Sequence, residues 1–128
     1  MSSFPTDLRY TADHEWLRSQ GSAWRVGITQ FDVDQLGDIT LVDLPSVGDL
    51  VTKGQRFGTI ESVKSVSDLY APVSGKVVAV NAALKDAPES VNTAPYEAGW
   101  MIDIEPTEAA EAADLMAHDA YTKHVAAQ

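Results

Sequence analysis

The chain has 128 residues, of which 45% are hydrophobic and 22% charged, so it can bury one packed core and does not have the composition of a disordered protein. Nineteen acidic against nine basic residues give a formal net charge of −10, which argues against nucleic acid and anionic membranes as partners, because both need a basic face. The absence of cysteine excludes disulfides and thiolate chemistry, and no apolar run approaches the length of a membrane span.

The N-terminal part of the sequence predicts a β-hairpin. The first residues contain no basic region followed by an apolar stretch, so we expect a cytoplasmic protein without a targeting segment. Residues 10–11 and 15–18 together indicate one β-segment, and residues 23–28 should pair with it across a turn at Gln20-Gly21.

A short helix should follow over residues 29–36. Thr29 is a suitable N-cap, and Asp32 stands three residues later, in the position of a capping-box acid. Gly37 should end this helix after about two turns, because glycine readily adopts the left-handed conformation found at helix C-termini.

The middle of the chain predicts short strands separated by glycine and proline turns, over residues 38–44, 57–63, 66–70 and 76–80. Strands that recur every 8–12 residues or so are typical of a compact barrel or sandwich. A weak internal repeat between residues 48–51 and 75–78, which share their Gly and Val positions, supports a two-fold arrangement.

From Thr107 the composition changes to alanine and acidic residues. Thr107 should cap a helix over residues 107–116, and a second helical segment is expected over residues 119–124. Both have too few apolar positions for a core helix, so we expect them on the surface. No linker divides the chain, and the sequence therefore predicts one mainly β domain over residues 1–128, with a short helix near 29–36 and C-terminal surface helices.

The sequence offers little that could make or break bonds by itself. His14, His118 and His124 lack metal-motif spacing, and the chain has neither a glycine-rich phosphate loop nor a G-x-S-x-G nucleophile turn. We therefore expect a protein that is not an enzyme and holds no metal.

The unusual segment is the strand–turn–strand over residues 58–70, with Lys64 near its tip. Because Val63 and Lys64 leave no Gly or Asn at the turn centre, a type I turn is favoured over the primed types, which need positive φ. A hairpin tip projects its side chain into solvent, which suits a lysine that must enter a modifying enzyme. The turn alone favours an ordinary exposed lysine at position 64, as most lysines are, and only the wider sequence context reverses that interpretation.

The context of that lysine resembles the lipoylation site of the glycine cleavage system H protein family. The resemblance starts at Glu61-Ser62-Val63-Lys64-Ser65 and covers nearly the whole chain. Further matching segments occur in family order: His14-Glu15-Trp16, Gly27-Ile28-Thr29, Leu36-Gly37-Asp38-Ile39, Leu44-Pro45, Val47-Gly48-Asp49, Leu69-Tyr70-Ala71-Pro72-Val73-Ser74-Gly75, Val80-Asn81, Val91-Asn92, Pro95-Tyr96 and Gly99-Trp100.

This resemblance implies a barrel-sandwich hybrid fold and a lipoyl group in amide linkage to Lys64. Such an arm reaches on the order of 14 Å from the backbone. The implied function is to carry an aminomethyl group from a pyridoxal-phosphate glycine decarboxylase to a tetrahydrofolate-dependent aminomethyltransferase. A flavin-dependent dihydrolipoamide dehydrogenase and a lipoylating enzyme are the other implied partners, and the cofactor supplies the reactive sulfur.

The resemblance also implies roles for five other residues. Glu61, Gly48 and Gly75 match positions linked to recognition by the lipoylating enzyme, although the glycines are equally well explained as turn residues. Glu15 and Asp68 match acids that face the aminomethyl ammonium when the loaded arm folds back. Gln35 departs from the family pattern, since some members carry histidine there, and this weakens any prediction of a specific docking groove.

Three alternative functions stay open at this point. A biotin carrier uses a similar hairpin, but its lysine is usually flanked by methionines, whereas the methionines here are Met1, Met101 and Met116. An H-like protein that only relays lipoyl groups would have much the same sequence. A structural interaction module with unmodified Lys64 is the third alternative.

Overall fold

Residues 4–127 are described by the structure, a computed structural model. Strands predominate in this part because β-branched and aromatic residues alternate with polar ones between glycine and proline turns. In chain order the elements are β1 Arg9–Tyr10, β2 Glu15–Gln20, β3 Ala23–Ile28, α1 Gln30–Leu36, β4 Ile39–Asp43, β5 Leu50–Val51, β6 Arg56–Ser62, β7 Val66–Tyr70, β8 Gly75–Val80, α2 Ala83–Asp86, α3 Ser90–Thr93, β9 Ile102–Pro106, a 3₁₀ helix Ala109–Asp114 and α4 His118–Ala126.

The strands form two antiparallel sheets. The larger has six strands in the order β1-β2-β3-β9-β8-β5, and the smaller has three in the order β4-β6-β7. Ile28 and Ile104 of the larger sheet and Ile60 and Leu69 of the smaller are buried in one apolar cluster. The sheets therefore pack face to face, and the fold is the expected mainly β barrel-sandwich hybrid.

The two segments of the weak internal repeat, residues 48–51 and 75–78, lie side by side in the larger sheet. Leu50 lies opposite Lys76 and Val51 opposite Gly75 in the β5–β8 ladder, and the Gly48 amide donates to the Val77 carbonyl at 2.7 Å. Two similar segments that pair antiparallel are related by a local two-fold axis, as the sequence suggested.

The hairpin of β2 and β3 is confirmed, with Gln20 opposite Ala23. The prediction that residues 10–18 form one β-segment is wrong, because β1 and β2 are separate strands that pair with each other, Arg9 opposite Leu17. Two features reverse the chain between them: the His14 amide donates to the Thr11 carbonyl at 3.1 Å, and His14 has a φ of 73°.

Helix α1 begins and ends where the sequence predicts. The Thr29 hydroxyl accepts from the Asp32 amide at 3.3 Å, and Gly37, with a φ of 80°, donates to the Val33 carbonyl at 2.9 Å. The capping-box role of Asp32 is wrong, because the Thr29 amide donates instead to the His14 carbonyl at 2.9 Å.

The C-terminal helices differ from the prediction in two respects. Thr107 does not cap a helix: its amide and hydroxyl both donate to the Ser74 carbonyl, and the following segment is the 3₁₀ helix. Helix α4 is present, but it does not simply lie on the surface, because Tyr121 is fully buried and stacks on Tyr10 with ring centroids 4.5 Å apart. One large aromatic side chain thus anchors a helix whose other residues are mostly polar. None of the helices within residues 4–127 is long and apolar enough to cross a membrane.

The Tyr121 hydroxyl generates a stability prediction. It is hydrogen-bonded to Thr29 Oγ1 at 2.7 Å and to His14 Nδ1 at 2.8 Å. Tyr121→Phe keeps the stacked ring but removes one bond from buried Thr29 and one from half-buried His14, so we expect a loss of about 1–3 kcal/mol in the free energy of unfolding. Urea unfolding of both proteins measures this, and an unchanged midpoint and slope would contradict it.

Candidate functional site

Lys64 stands at the tip of the β6–β7 hairpin. The ladder runs up to the pair Glu61 and Val66, and the Ser62 amide closes it by donating to the Ser65 carbonyl at 2.8 Å. The Ser62 hydroxyl accepts from the Ser65 amide at 3.1 Å. Among residues 4–127, His14 is the one non-glycine residue with positive φ, so the tip contains no primed turn, as expected.

The tip is fastened to the turn between α1 and β4. The Val63 amide donates to the Asp38 carbonyl at 3.0 Å. The Lys64 Cε atom lies 3.7 Å from the point where a Cβ on Gly37 would stand, so the lysine stem passes over bare backbone. The Lys64 side chain is exposed, and it takes part in none of the ion pairs found in the described residues. Its amine is therefore available for covalent modification.

Exposed apolar side chains lie on the hairpin that carries this amine and on the neighbouring strand β4. Val63 is 71% exposed, Val66 67% and Leu41 47%. Leu41, Glu61 and Val66 lie opposite one another across β4, β6 and β7, so they share one face of the smaller sheet. This face, with the hairpin tip, is called the hairpin face below.

Glu15 is buried, with only 2% of its surface exposed. Its Oε1 accepts from the Thr11 hydroxyl at 2.6 Å, and its Oε2 accepts from the Tyr70 amide at 3.2 Å. Burial away from water raises the pKa of this carboxyl to about 8, and the charges of Asp13 and Asp32 add to the rise. Desolvation also raises the pKa of Asp32 to about 7. Because burial disfavours the charged form of this carboxyl, a cation placed beside it would stabilise the carboxylate.

Asp68 and Tyr70 connect Glu15 with the hairpin. Val66, Asp68 and Tyr70 alternate along β7 with inward-facing Ser67 and Leu69, so the first three share its outer side. The Tyr70 hydroxyl donates to Asp68 Oδ2 at 3.5 Å, and the Asp68 charge raises the pKa of the Tyr70 phenol. From Val66 to Tyr70 this row spans about 13 Å.

A cavity of about 390 Å³ opens at the Tyr70 end of the row. Glu15, Asp13 and Tyr70 line one side of it. Lys53 lines another side, where its ammonium donates to the Glu111 carbonyl at 2.9 Å and pairs with Asp114 at 3.2 Å. The cavity is thus walled partly by the 3₁₀ helix.

Gly48 and Gly75 lie in the other sheet, at its β5–β8 edge. A Cβ on Gly75 would overlap the Glu105 carbonyl oxygen and the Ile104 side chain. Gly48 has a φ of 97°, which strains any other residue. Structural demands therefore account for both glycines.

The structure thus brings together Lys64, Glu61 and Asp68 on the smaller sheet, joins Glu15 to the far end of β7, and places Gly48 and Gly75 elsewhere. Sequence reasoning missed Tyr70, whose amide and hydroxyl contact both candidate acids. The available signal was its place two residues after Asp68, on the same side of a predicted strand. Within residues 4–127, no group of three or more His, Asp or Glu side chains is placed to hold a metal ion.

A lysine at a hairpin tip of two packed antiparallel sheets defines the carrier domains that present one amine for a covalently attached arm. The family model described as glycine cleavage H-protein matches residues 8–128. The chain belongs to the glycine cleavage H-protein family. This assignment argues against the alternative that the chain is a biotin carrier.

Individual relatives agree with this assignment. A glycine cleavage system H protein of Listeria monocytogenes serotype 4a is 54% identical over 121 residues, which cover 94% of this chain and 97% of the relative. One from Anaeromyxobacter sp. strain K is 56% identical over 124 residues, 97% of each chain. The crystal structure of a glycine cleavage system H protein from Mycobacterium marinum matches with a TM-score of 0.87 and 42% identity, over 94% of this chain and 97% of that one.

The raised pKa of Glu15 generates a prediction about stability and pH. The pKa of about 8 keeps the Glu15 carboxyl protonated in the folded protein up to about pH 8, whereas an unfolded glutamate loses its proton near its ordinary pKa of 4.5. Because the folded state then binds more protons, stability falls as pH rises through this window, by at most about 1.4 kcal/mol per pH unit from this group. Glu15→Gln imitates the protonated acid and should gain stability relative to wild type as pH rises from 5 to 8.

Urea unfolding of both proteins across that range measures the effect. Parallel pH profiles for wild type and Glu15→Gln would contradict the prediction. Asp32→Asn tests the same effect at a second residue, because burial also raises the pKa of Asp32.

Proposed function

We propose that Lys64 is the residue through which this carrier holds a lipoyl group in amide linkage. The observation that carries the proposal is the exposed amine at the hairpin tip, which forms no ion pair within residues 4–127 that would have to break before it reacts. Membership of the H-protein family makes the chain a carrier component of the glycine cleavage system. We infer that residues 1–128 act as one carrier domain.

The bound group would supply a dithiolane, whose sulfur takes up the aminomethyl cargo. The chain itself supplies position and recognition: it holds one amine at a fixed tip, flanked by exposed Val63 and Val66. We propose four partners, which are the pyridoxal-phosphate glycine decarboxylase, the tetrahydrofolate-dependent aminomethyltransferase, dihydrolipoamide dehydrogenase and a lipoylating enzyme. By itself the chain should turn over nothing. Its cytoplasmic location stays a prediction.

Glu15 and Asp68 are the proposed contacts for the ammonium of the cargo. Support comes from the burial of Glu15, whose ionised form a nearby cation would stabilise, and from Tyr70, which hydrogen-bonds to both acids. The outer row of β7 leads from the hairpin to Glu15, and its span of about 13 Å is comparable with the reach of a lysine-linked arm. An ammonium held beside Glu15 favours the ionised carboxylate, so cargo binding should release a proton below about pH 8.

Recognition by the lipoylating enzyme is proposed to use Glu61 directly. Glu61 lies on the hairpin face between Leu41 and Val66, beside the lysine that the enzyme must reach. For Gly48 and Gly75 we propose an indirect contribution through the fold, since a side chain at either position disturbs the backbone.

Direct recognition of Glu61 and an indirect contribution of the glycines through the fold predict different outcomes for two variants. Glu61→Ala should slow lipoylation of Lys64 and leave the unfolding midpoint unchanged. Gly75→Ala should cost about 1–3 kcal/mol of stability, because the new methyl group overlaps β9. Lipoylation rates with purified lipoylating enzyme, measured beside thermal unfolding, separate them. A normal rate for Glu61→Ala would refute direct recognition.

The covalent role of Lys64 predicts the behaviour of Lys64→Arg. Arginine keeps the positive charge and most of the length but cannot form the lipoyl amide. The variant should fold normally. It should support no glycine cleavage when mixed with the decarboxylase, the aminomethyltransferase and the dehydrogenase. The assay is exchange of the glycine carboxyl carbon with labelled bicarbonate, with free lipoic acid as the control for arm chemistry without a carrier.

Near-wild-type exchange with Lys64→Arg would overturn the carrier proposal. Tryptic mass mapping gives an independent check on the wild-type protein. A lipoyl or octanoyl group on Lys53, Lys76 or Lys85 instead of Lys64 would overturn the assigned attachment site.

A further inference from the structure

The position of the hairpin tip depends on three residues that belong to neither of its strands. Gly37, Asp38 and Ile39, called the 37–39 turn below, join α1 to β4. The Asp38 carbonyl accepts the Val63 amide at 3.0 Å, and Gly37 underlies the Lys64 stem. Any shift of this turn therefore moves the support on which the lysine rests.

Asn92 in α3 holds this turn from both sides. Its Nδ2 donates to the Gly37 carbonyl at 2.9 Å, and its Oδ1 accepts from the Ile39 amide at 2.9 Å. The two bonds flank Asp38, whose carbonyl receives the hairpin. A carboxamide is suited to this task because it offers a donor and an acceptor on one planar group.

The clamp is needed because of the conformation of Gly37. Its φ of 80° and ψ of −151° lie in a region that is almost confined to glycine, and glycine is also the residue with most freedom to leave it. Helix α3, which supplies the clamp, is itself firmly placed: Val91 is fully buried, and a Cβ on Gly99 would stand 2.8 Å from Val91 Cα. A rigid element thus restrains a turn with little rigidity of its own.

We propose that Asn92 is a positioning residue for the arm-bearing lysine. It fixes the 37–39 turn, the turn fixes the Val63 amide, and Lys64 is thereby presented in one place. The proposal rests on the proposed function for the identity of the reaction at Lys64, but the restraint of the hairpin stands without it.

The test compares Asn92→Ala with a matched control, Asn81→Ala. Asn81 is also a carboxamide that satisfies two backbone groups, since its Nδ2 donates to the Ala98 carbonyl at 2.8 Å and the Trp100 carbonyl at 2.7 Å. It contacts neither the hairpin nor the 37–39 turn through those bonds. Each variant loses two hydrogen bonds, so Asn81→Ala controls for the general loss of stability expected in Asn92→Ala.

The first readout is amide hydrogen exchange at Val63, followed by nuclear magnetic resonance on the purified full-length chain. Asn92→Ala should speed exchange at Val63 by about tenfold, because the acceptor turn opens more often, and Asn81→Ala should leave that amide close to wild type. Equal acceleration in both variants, or none in Asn92→Ala, would overturn the proposal.

The second readout is the rate of lipoylation at Lys64. Asn92→Ala should lower kcat/KM by about tenfold, since the amine is no longer held in one place, while Asn81→Ala changes it little. If Asn92→Ala does not fold, Asn92→Asp replaces it, because a carboxylate still accepts from Ile39 but cannot donate to Gly37.

The two readouts separate this proposal from the one it builds on. A wild-type chain that is never lipoylated would refute the proposed function and leave the Val63 comparison intact. A lipoylated wild type with unchanged exchange and rate in Asn92→Ala would refute the positioning role alone.

Discussion

The buried carboxyl group of Glu15 links the two sheets at the end of β7 that lies away from the hairpin tip. Glu15 begins β2 in the larger sheet, and its Oε2 accepts the amide of Tyr70, the last residue of β7 in the smaller sheet. Burying a carboxyl costs free energy unless its oxygens are satisfied, and here a hydroxyl and an amide satisfy them. The far end of β7 is thus fixed to the larger sheet, and Lys64 projects from the near end.

The direction of Glu15 is set by the residue before it. His14 adopts a φ of 73°, which is unusual for a side chain of its size, and several contacts hold it there. Its carbonyl accepts the Thr29 amide, and its ring is hydrogen-bonded to the Tyr121 hydroxyl. The C-terminal helix therefore contributes to the site although it lies far away in sequence: Tyr121 stabilises the strained turn that aims Glu15 inwards.

Local chemistry explains which features could be predicted from the sequence. The β2–β3 hairpin, helix α1 with its Thr29 cap, and the tip at Lys64 each depend on residues within a few positions of one another. Thr107 looked like a cap by the same local rule, but the Ser74 carbonyl, from a segment 33 residues away, takes both of its donors. The burial of Glu15 and the two hydrogen bonds of Asn92 could not be predicted from local sequence either, because each depends on partners more than 50 residues distant.

Three glycines of this chain show why the residue type alone does not reveal a role. Gly75 is required because a strand passes too close for a side chain, and Gly48 because of its φ of 97°. Gly37 also has positive φ, and it lies beneath the stem of Lys64, whose Cε stands at ordinary contact distance, 3.7 Å, from the position of a Cβ. Gly37 therefore resembles Gly48 in its need for glycine, and its place beside the lysine appears only when the neighbouring atoms are known.

Acylation of Lys64 would change the charge of the hairpin face. Across α1, β4, β6, β7 and the turns that join α1 to β4 and β6 to β7, the basic residues are Lys64 and Arg56, and Arg56 lies at the other end of β6, opposite Tyr70. An amide at Lys64 removes the cation from the tip and leaves Glu61 and Asp38 beside exposed Val63 and Val66. On the proposed function, the enzyme that attaches the arm would meet a cation there, whereas the enzymes that use the arm would meet an acidic and apolar surface. One covalent step would thus distinguish substrate from product for the first enzyme and give the others a common surface to recognise.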